Sequence, residues 1–415
     1  MKKQAPVIVA SDSPREAAFI TGIEPGRTYT VLVKTVAVNV ASWPTYGNVT
    51  TRPLPVLDLK VNQNLETGQV ELSWQPNNAS LQDSYKIVYQ EVEAFNGDAR
   101  TLVTGDTRMS SELYPGRNYT VSVYSLSNMV HSAAKIQSIL TRPASPIIKE
   151  MVPLTRGLNI SWQSDVTSRQ DKYAVIVTRN DTDKTTTYET TENHALLTGL
   201  YPGAGYHLKV YAIANGNWSE PHVYFQAVFP NSVSNLTISA SNDSSVDLSW
   251  TPPEESIFSH YMVRYKTSRD SQWMEAPPAN FSSARITGLV AGEKYQIRVT
   301  AVSFRVESLH PEELTHVVPP SAIKSIMPVL GSTNVTLEWP RPEGRIDSYE
   351  VIWWREAERK AKKMVPGSQA TEGISRKVSV SVNELIPGEL YMFQVATTSN
   401  GLSSNSTLLK TRTSE

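Results

Sequence analysis

The side chains that most often carry out chemistry are sparse along this 415-residue chain and are poorly spaced for catalysis. The chain has no cysteine, which excludes a thiol nucleophile and a cysteine-based zinc site. Among the seven histidines, His310 and His316 lie closest together, with Glu312 and Glu313 between them. This is not the His-Glu-x-x-His spacing of a zinc protease. We therefore expect no metal site, no cofactor and no enzymatic activity in this chain.

Asparagine-linked glycosylation is the one covalent chemistry that the sequence favours. The tripeptide Asn-x-Ser/Thr occurs eleven times, where chance would give roughly four or five copies. Several of these asparagines precede an inward-facing strand residue, which places the asparagine on the solvent face. We therefore expect the chain to be extracellular and glycosylated. The candidate sites are Asn48, Asn78, Asn118, Asn159, Asn180, Asn217, Asn235, Asn242, Asn280, Asn334 and Asn405.

A short phrase that ends in tyrosine recurs about every ninety residues and indicates an array of modules. One copy reads Leu113-Tyr-Pro-Gly-Arg-Asn-Tyr119, in which Pro-Gly makes a turn and the tyrosine opens an alternating strand. The fourth copy has Ala291 in place of the proline. We expect the tyrosines that end the phrase to pack in module cores, and they are Tyr29, Tyr119, Tyr206, Tyr295 and Tyr391.

Four tryptophans repeat with nearly the same period as the turn phrase. They lie 88, 88 and 89 residues apart, each at the end of an alternating stretch such as Val70-Glu-Leu-Ser-Trp74. A tyrosine follows each of them ten or eleven residues later and opens another alternating stretch. We expect these tryptophans to be core residues, and they are Trp74, Trp162, Trp250 and Trp339.

A tryptophan on an early strand, a tyrosine on the next and Leu-x-Pro-Gly-x-x-Tyr near the end together resemble fibronectin type III domains. The resemblance extends over the whole chain. It implies an all-β fold of tandem fibronectin type III, immunoglobulin-like β-sandwiches in an extended rod. It also implies a tyrosine corner, in which the ring packs in the core and the hydroxyl bonds to backbone.

Short joints that contain proline divide the chain into modules. We place whole domains at 53–142, 143–229, 230–319 and 320–415, and a partial domain at 1–52. These segments are called modules 1 to 5 in chain order. Because proline fixes φ, we expect a bent, semi-stiff rod. Module 1 has a corner tyrosine but no tryptophan strand, so we expect the chain to be a fragment or truncated product; a natural partial domain stabilised by its neighbour is the alternative.

The charge distribution gives no argument for nucleic acid or a membrane surface as partner, because the formal net charge is −1 and the charges are interspersed. No apolar run reaches the length of a membrane span. One basic segment in module 5 could bind a glycosaminoglycan or an acidic protein, although such runs are more often solvated loops. Its residues are Trp354, Arg355, Arg359, Lys360, Lys362 and Lys363.

Several phrases resemble the ectodomains of insect receptor protein tyrosine phosphatases. They include Thr141-Arg-Pro-Ala-Ser-Pro-Ile-Ile148, Gly157-Leu-Asn-Ile-Ser-Trp162 and Trp339-Pro-Arg-Pro-Glu-Gly344. The resemblance implies a single-pass receptor with its phosphatase domain outside this chain and with roles in axon guidance. No catalytic residue can be carried over, since the catalytic cysteine of that family has no counterpart here.

The sequence thus predicts an extracellular ligand-binding and spacer array on the extracellular side of the plasma membrane. The expected partner is an extracellular protein or a glycosaminoglycan, with no nucleic acid and no membrane insertion within this chain. The alternative is a cell-adhesion or extracellular-matrix protein built of the same modules. A spacer in a secreted polysaccharide hydrolase is a more distant alternative.

Overall fold

The computed structural model describes residues 5–9, 17–64, 69–92, 99–356, 360–368 and 377–415. This part of the chain contains 36 strands and no helix, which confirms the predicted all-β class. Module 1 holds β1 (Thr28–Val33), β2 (Val36–Ala37), β3 (Val40–Ala41) and β4 (Thr45–Thr50). Module 2 holds β5 (Leu57–Gln63), β6 (Val70–Gln75), β7 (Ser84–Glu91), β8 (Arg100–Thr104), β9 (Arg108–Ser111), β10 (Asn118–Ser127), β11 (Val130–His131) and β12 (Lys135–Leu140).

The remaining modules repeat the strand order of module 2. Module 3 holds β13 (Ile147–Pro153), β14 (Gly157–Gln163), β15 (Lys172–Arg179), β16 (Thr185–Thr190), β17 (His194–Thr198), β18 (Gly205–Ala214), β19 (Asn217–Trp218) and β20 (His222–Ala227). Module 4 holds β21 (Ser234–Ser241), β22 (Ser245–Thr251), β23 (His260–Thr267), β24 (Met274–Glu275), β25 (Ser283–Thr287), β26 (Lys294–Ser303), β27 (Val306–Glu307) and β28 (Glu312–Val317). Module 5 holds β29 (Met327–Leu330), β30 (Val335–Pro340), β31 (Ser348–Arg355), β32 (Ala361–Pro366), β33 (Lys377–Val382), β34 (Leu390–Ser399), β35 (Leu402–Ser403) and β36 (Thr407–Arg412).

Each of modules 2 to 5 is a sandwich of two antiparallel sheets. In module 3 one sheet has the order β13-β14-β17, and the other has the order β16-β15-β18-β19 with β20 also on β18. The second sheet is centred on the long strand β18, in which Tyr206, Leu208 and Val210 alternate inward and are at most 5% exposed. The apolar residues that alternate in the sequence of β18 are therefore the ones that are buried in the core.

A tryptophan and a tyrosine from opposite sheets meet at the centre of each core. Trp162 is 2% exposed, and its ring lies edge to face with Tyr173 at a centroid distance of 5.3 Å. The equivalent pairs in modules 2, 4 and 5 have centroid distances of 5.4, 5.1 and 5.3 Å. This repeated contact links the two sheets, since β14 and β15 belong to different ones.

The tyrosine corner is present in all five modules. The Tyr206 hydroxyl accepts a hydrogen bond of 2.7 Å from the backbone N–H of Tyr201. In modules 1, 2, 4 and 5 the equivalent bond measures 2.8, 3.2, 3.0 and 3.1 Å. Burial raises the pKa of Tyr119, Tyr206 and Tyr295, because ionisation would leave a phenolate in the core.

Module 1 differs from the others in its core. Its described residues form the strand pairs β1-β4 and β2-β3 and no second, facing sheet. Tyr29, which we expected to be a core residue, is therefore only partly buried, and Val33 is 61% exposed. The corner bond to the Glu24 N–H survives because it needs only the turn and the first residues of β1.

Replacing Trp162 with alanine should destabilise module 3 by about 3–5 kcal/mol, because it removes a fully buried indole and its contact with Tyr173. Scanning calorimetry should show one transition moving to lower temperature while those of the other modules stay in place. Trp218→Ala is the control in the same module, since Trp218 is 39% exposed. An unchanged melting profile for Trp162→Ala would contradict the account of the core.

Alkaline pH should destabilise the modules through their buried tyrosines. In the unfolded chain a tyrosine loses its proton near pH 10, whereas Tyr119, Tyr206 and Tyr295 keep theirs in the fold. Above pH 10 the folded chain thus binds more protons than the unfolded chain, and the free energy of unfolding falls as pH rises. Urea unfolding between pH 8 and pH 11 measures this decline. Tyr206→Phe should show a shallower decline for module 3, and an equal slope would count against the interpretation.

Candidate binding surfaces and inter-module joints

Most of the predicted glycosylation sites lie on exposed positions. Nine of the eleven asparagines are exposed, and Asn118 and Asn217 are half-buried. The Asn242 side-chain oxygen accepts hydrogen bonds from the N–H groups of Ser244 and Ser245 at 2.9 and 2.7 Å. These bonds use the oxygen and not the amide nitrogen that carries a glycan. At Asn217, by contrast, the amide nitrogen itself donates a bond of 3.3 Å to the Leu140 carbonyl of module 2.

The described residues of the basic segment of module 5 do not form one continuous patch. The Lys360 ammonium lies 4.4 Å from the centroid of the Trp354 ring, and Lys362 pairs with the Glu350 carboxylate. Lys363 instead donates a hydrogen bond of 3.4 Å to the Ser381 carbonyl on β33, in the other sheet. Arg355 lies at the end of β31, and Arg359 lies outside the described residues. Among the described residues of this segment, Trp354 and Lys360 thus lie together, while Lys363 reaches the other sheet.

A second cationic aromatic surface, on module 4, was missed by the sequence analysis. The Trp273 ring stacks with two cations, the Lys266 ammonium at 4.9 Å from its centroid and the Arg298 guanidinium at 4.2 Å. Beside it, Arg264 forms two hydrogen bonds of 2.6 and 2.7 Å with Glu307, which lower the pKa of that carboxylate. The sequence signal for this surface was the alternation of Arg264 and Lys266 on β23, with Arg298 opposite Arg264 on β26.

The two histidines that lie closest in sequence do not share a site. The His316 ring bonds to the Ser241 hydroxyl at 2.8 Å, and burial lowers its pKa. His310 precedes β28, and its backbone carbonyl accepts a bond from Ser232. Among the described residues no group of three potential metal ligands occurs. Within the same ranges, no helix has the length and apolarity needed to cross a bilayer.

The modules are joined by one repeated backbone hydrogen bond. We call the Pro-Gly turn before each corner tyrosine the corner, and the loop between the second and third strands of the next module the facing loop. The facing loops are 76–83, 164–171, 252–259 and 341–347. In each joint a facing-loop N–H donates to a corner carbonyl: Leu81 to Pro25 at 3.1 Å, Arg169 to Pro115 at 3.1 Å, Ile257 to Pro202 at 3.0 Å and Arg345 to Ala291 at 2.9 Å.

The corner glycine is required both by the turn and by the joint. Gly203 has a φ of +71°, a conformation that other residues rarely adopt. A Cβ atom on Gly203 would lie 1.8 Å from the Ile257 carbonyl oxygen of the facing loop. The same distance is 1.8, 1.9 and 2.2 Å at Gly26, Gly116 and Gly292. At Gly388 the φ is also +71°, yet the nearest atom is a Glu415 side-chain carbon at 3.9 Å.

The sandwich topology, the core pair and the corner together identify the family. A model of the fibronectin type III domain matches residues 54–138, 153–225, 231–317 and 319–412. The chain belongs to the fibronectin type III family. The four matched fibronectin type III domains cover most of the chain, and no catalytic domain lies among them.

Similar proteins with curated descriptions include both receptors and matrix proteins. Receptor-type tyrosine-protein phosphatase eta of Gallus gallus is 26% identical over 91% of this chain and 26% of its own length. Receptor-type tyrosine-protein phosphatase H of Homo sapiens is 26% identical over 92% of this chain and 34% of its own length. Tenascin-R of Homo sapiens is 25% identical over 82% of this chain and 25% of its own length. The fibronectin type III array thus spans only about a quarter to a third of these relatives.

Changing Gly203 to alanine should open the joint between modules 3 and 4 without unfolding either. The new methyl group would overlap the Ile257 carbonyl oxygen, so the Ile257 N–H should lose its bond to Pro202 and exchange faster with deuterium. Gly388→Ala is the matched control, because it imposes the same backbone strain with no module against it. Equal exchange at Ile257 in both variants would contradict this role of the corner.

Proposed function

We propose that this chain is the extracellular ligand-binding and spacer array of a cell-surface receptor whose tyrosine phosphatase domain lies outside the chain. The backbone bond repeated at all four joints carries the spacer part of this proposal. A joint that uses backbone atoms and a glycine holds neighbouring modules in one orientation, and such a rod presents its outer modules at a set distance. Two of the relatives reported above are receptor-type tyrosine-protein phosphatases, which supports the receptor part.

The ligand of this array is an extracellular protein or a glycosaminoglycan. A protein would meet the exposed sheet faces, where Trp273 and Trp354 each stack with cations and offer apolar area beside positive charge. A sulfated glycan would use the ammonium groups of Lys360 and Lys266, which stack on these tryptophans. The near-zero net charge gives neither nucleic acid nor a lipid surface a comparable attraction.

The second candidate function is that of a cell-adhesion or extracellular-matrix protein. The similarity to tenascin-R favours it, because that relative covers 82% of this chain at nearly the same identity as the phosphatases. The array would serve in the same way in both cases, as spacer and binding surface. The two proposals differ in what the array is attached to.

An antibody raised against this chain separates the two functions. On intact cells of the source organism, a receptor predicts surface labelling and a parent protein that stays with membranes after alkaline carbonate extraction. The immunoprecipitate should then hydrolyse para-nitrophenyl phosphate. A parent protein found in the detergent-insoluble matrix without phosphatase activity supports the second function. Labelling only after the cells are permeabilised, with no secreted protein, would contradict both.

Exposed sequons should carry glycans when the chain is made in secretory cells behind a secretion leader. Asn159 and Asn242 are exposed, so peptide-N-glycosidase F should shift the mass of peptides that contain them. Asn→Gln at each site removes that shift and serves as the control. A chain whose mass does not change on digestion would count against the extracellular assignment.

A further inference from the structure

Three of the four joints contain a buried serine bond in addition to the backbone bond. The serine is the last residue of the long strand of the following module, and its hydroxyl donates to the carbonyl of the corner glycine. The bonds are Ser127 to Gly26 at 2.6 Å, Ser303 to Gly203 at 2.6 Å and Ser399 to Gly292 at 2.9 Å. These three serines are 6, 2 and 1% exposed. Such a bond lies between neutral groups away from solvent, so dissolved salt barely weakens it.

The joint between modules 2 and 3 lacks this serine. The last residue of its long strand, β18, is Ala214, which is equally buried but has no hydroxyl to donate to Gly116. Because Ala214 occupies the same position in the strand as the three serines, the difference is one of side-chain chemistry and not of backbone position.

Besides the Arg169–Pro115 backbone bond and the Asn217–Leu140 bond, ion pairs take the place of the serine bond at the joint between modules 2 and 3. Arg169 of module 3 pairs with Glu91 of module 2 at 2.9 Å, and Arg142 of module 2 pairs with Glu220 of module 3 at 2.5 Å. The Arg117 guanidinium, which also pairs with Glu91, donates to the Thr167 carbonyl across the joint at 3.1 Å.

The Arg142–Glu220 pair is open to solvent on both sides, with side chains 40 and 58% exposed. Arg169 is 48% exposed, whereas its partner Glu91 is 13% exposed and the Arg117 side chain on that carboxylate is 19% exposed. Dissolved ions therefore reach the Arg142–Glu220 pair and the Arg169 end of the second pair, and the range of these attractions falls from about 10 Å at 0.1 M salt to about 3 Å at 1 M. The other joints also contain ion pairs, such as Arg345 with Glu293 at 3.5 Å, but they keep their serine bonds when these pairs are screened.

We propose that the joint between modules 2 and 3 is a salt-sensitive hinge in an otherwise fixed array. At low ionic strength the arginine–carboxylate pairs hold it closed, and at high ionic strength it opens while the three serine-containing joints stay closed. On this proposal the array bends at the joint between modules 2 and 3 and not at the other three. This inference does not depend on whether the parent protein is a receptor or a matrix protein.

Spin-label distances in the whole chain test the hinge. Because the chain has no cysteine, labels attach only where cysteines are introduced. Lys135→Cys with Lys184→Cys reports the joint between modules 2 and 3, and Lys184→Cys with Ser271→Cys reports the next joint. All three positions are exposed. Raising NaCl from 0.1 to 1 M should widen the first distance distribution about twofold as the pairs are screened, and should leave the second unchanged.

Two substitutions exchange the chemistry of the two joints. Ala214→Ser supplies the missing hydroxyl and should abolish the salt response of the joint between modules 2 and 3. Ser303→Ala removes the hydroxyl that bonds to Gly203 at the joint between modules 3 and 4. That joint should then respond to salt through its exposed Arg156–Glu255 pair. Thermal melts confirm that each variant is folded. An unchanged first distribution, equal widening at both joints, or a salt response that persists in a folded Ala214→Ser variant would each overturn the proposal.

Discussion

The array depends on the hydrogen bond that each facing loop donates to the corner carbonyl of the module before it. This bond can form only because the next residue is glycine, since any Cβ there would overlap the carbonyl oxygen of the facing loop. The same glycine makes the turn that lets the corner tyrosine reach back to the backbone, as Tyr206 does to the Tyr201 N–H. Folding within a module and docking between modules therefore place the same demand on one residue, so a change at Gly203 affects both.

Because the repeated joint bond uses only backbone atoms, the side chains at each joint can differ and give the joints different properties. Ser303 and Ala214 occupy equivalent positions, yet one supplies a buried neutral bond and the other none. The surfaces vary in the same way. Modules 4 and 5 each stack cations on a tryptophan, at Trp273 and at Trp354, within different arrangements of carboxylates. Backbone contacts that repeat from joint to joint, with side chains that vary, suit a spacer whose modules must keep their order while different modules carry different surfaces.

The fold could be predicted from the sequence because its determinants are local. Alternation around Trp162 and the turn before Tyr206 each specify a strand or corner over a few residues. The joints could not be predicted, since the partners Pro202 and Ile257 are far apart in sequence and no pattern in either segment indicates the other. The basic segment of module 5 was predicted as one surface because a charge run does not reveal that Lys363 reaches the opposite sheet. Trp273 was missed because its two cations come from different strands.

Small-angle X-ray scattering of the whole chain in 0.1 M salt tests the central claim most directly, because scattering reports the arrangement of modules without labels or substitutions. If the corner bonds fix the joints, the curve calculated from the arrangement described here should fit the data as a single conformation. If the data instead require a broad ensemble of module orientations, with no preferred orientation at any joint, they would contradict the claim that the corner bonds hold neighbouring modules in one orientation.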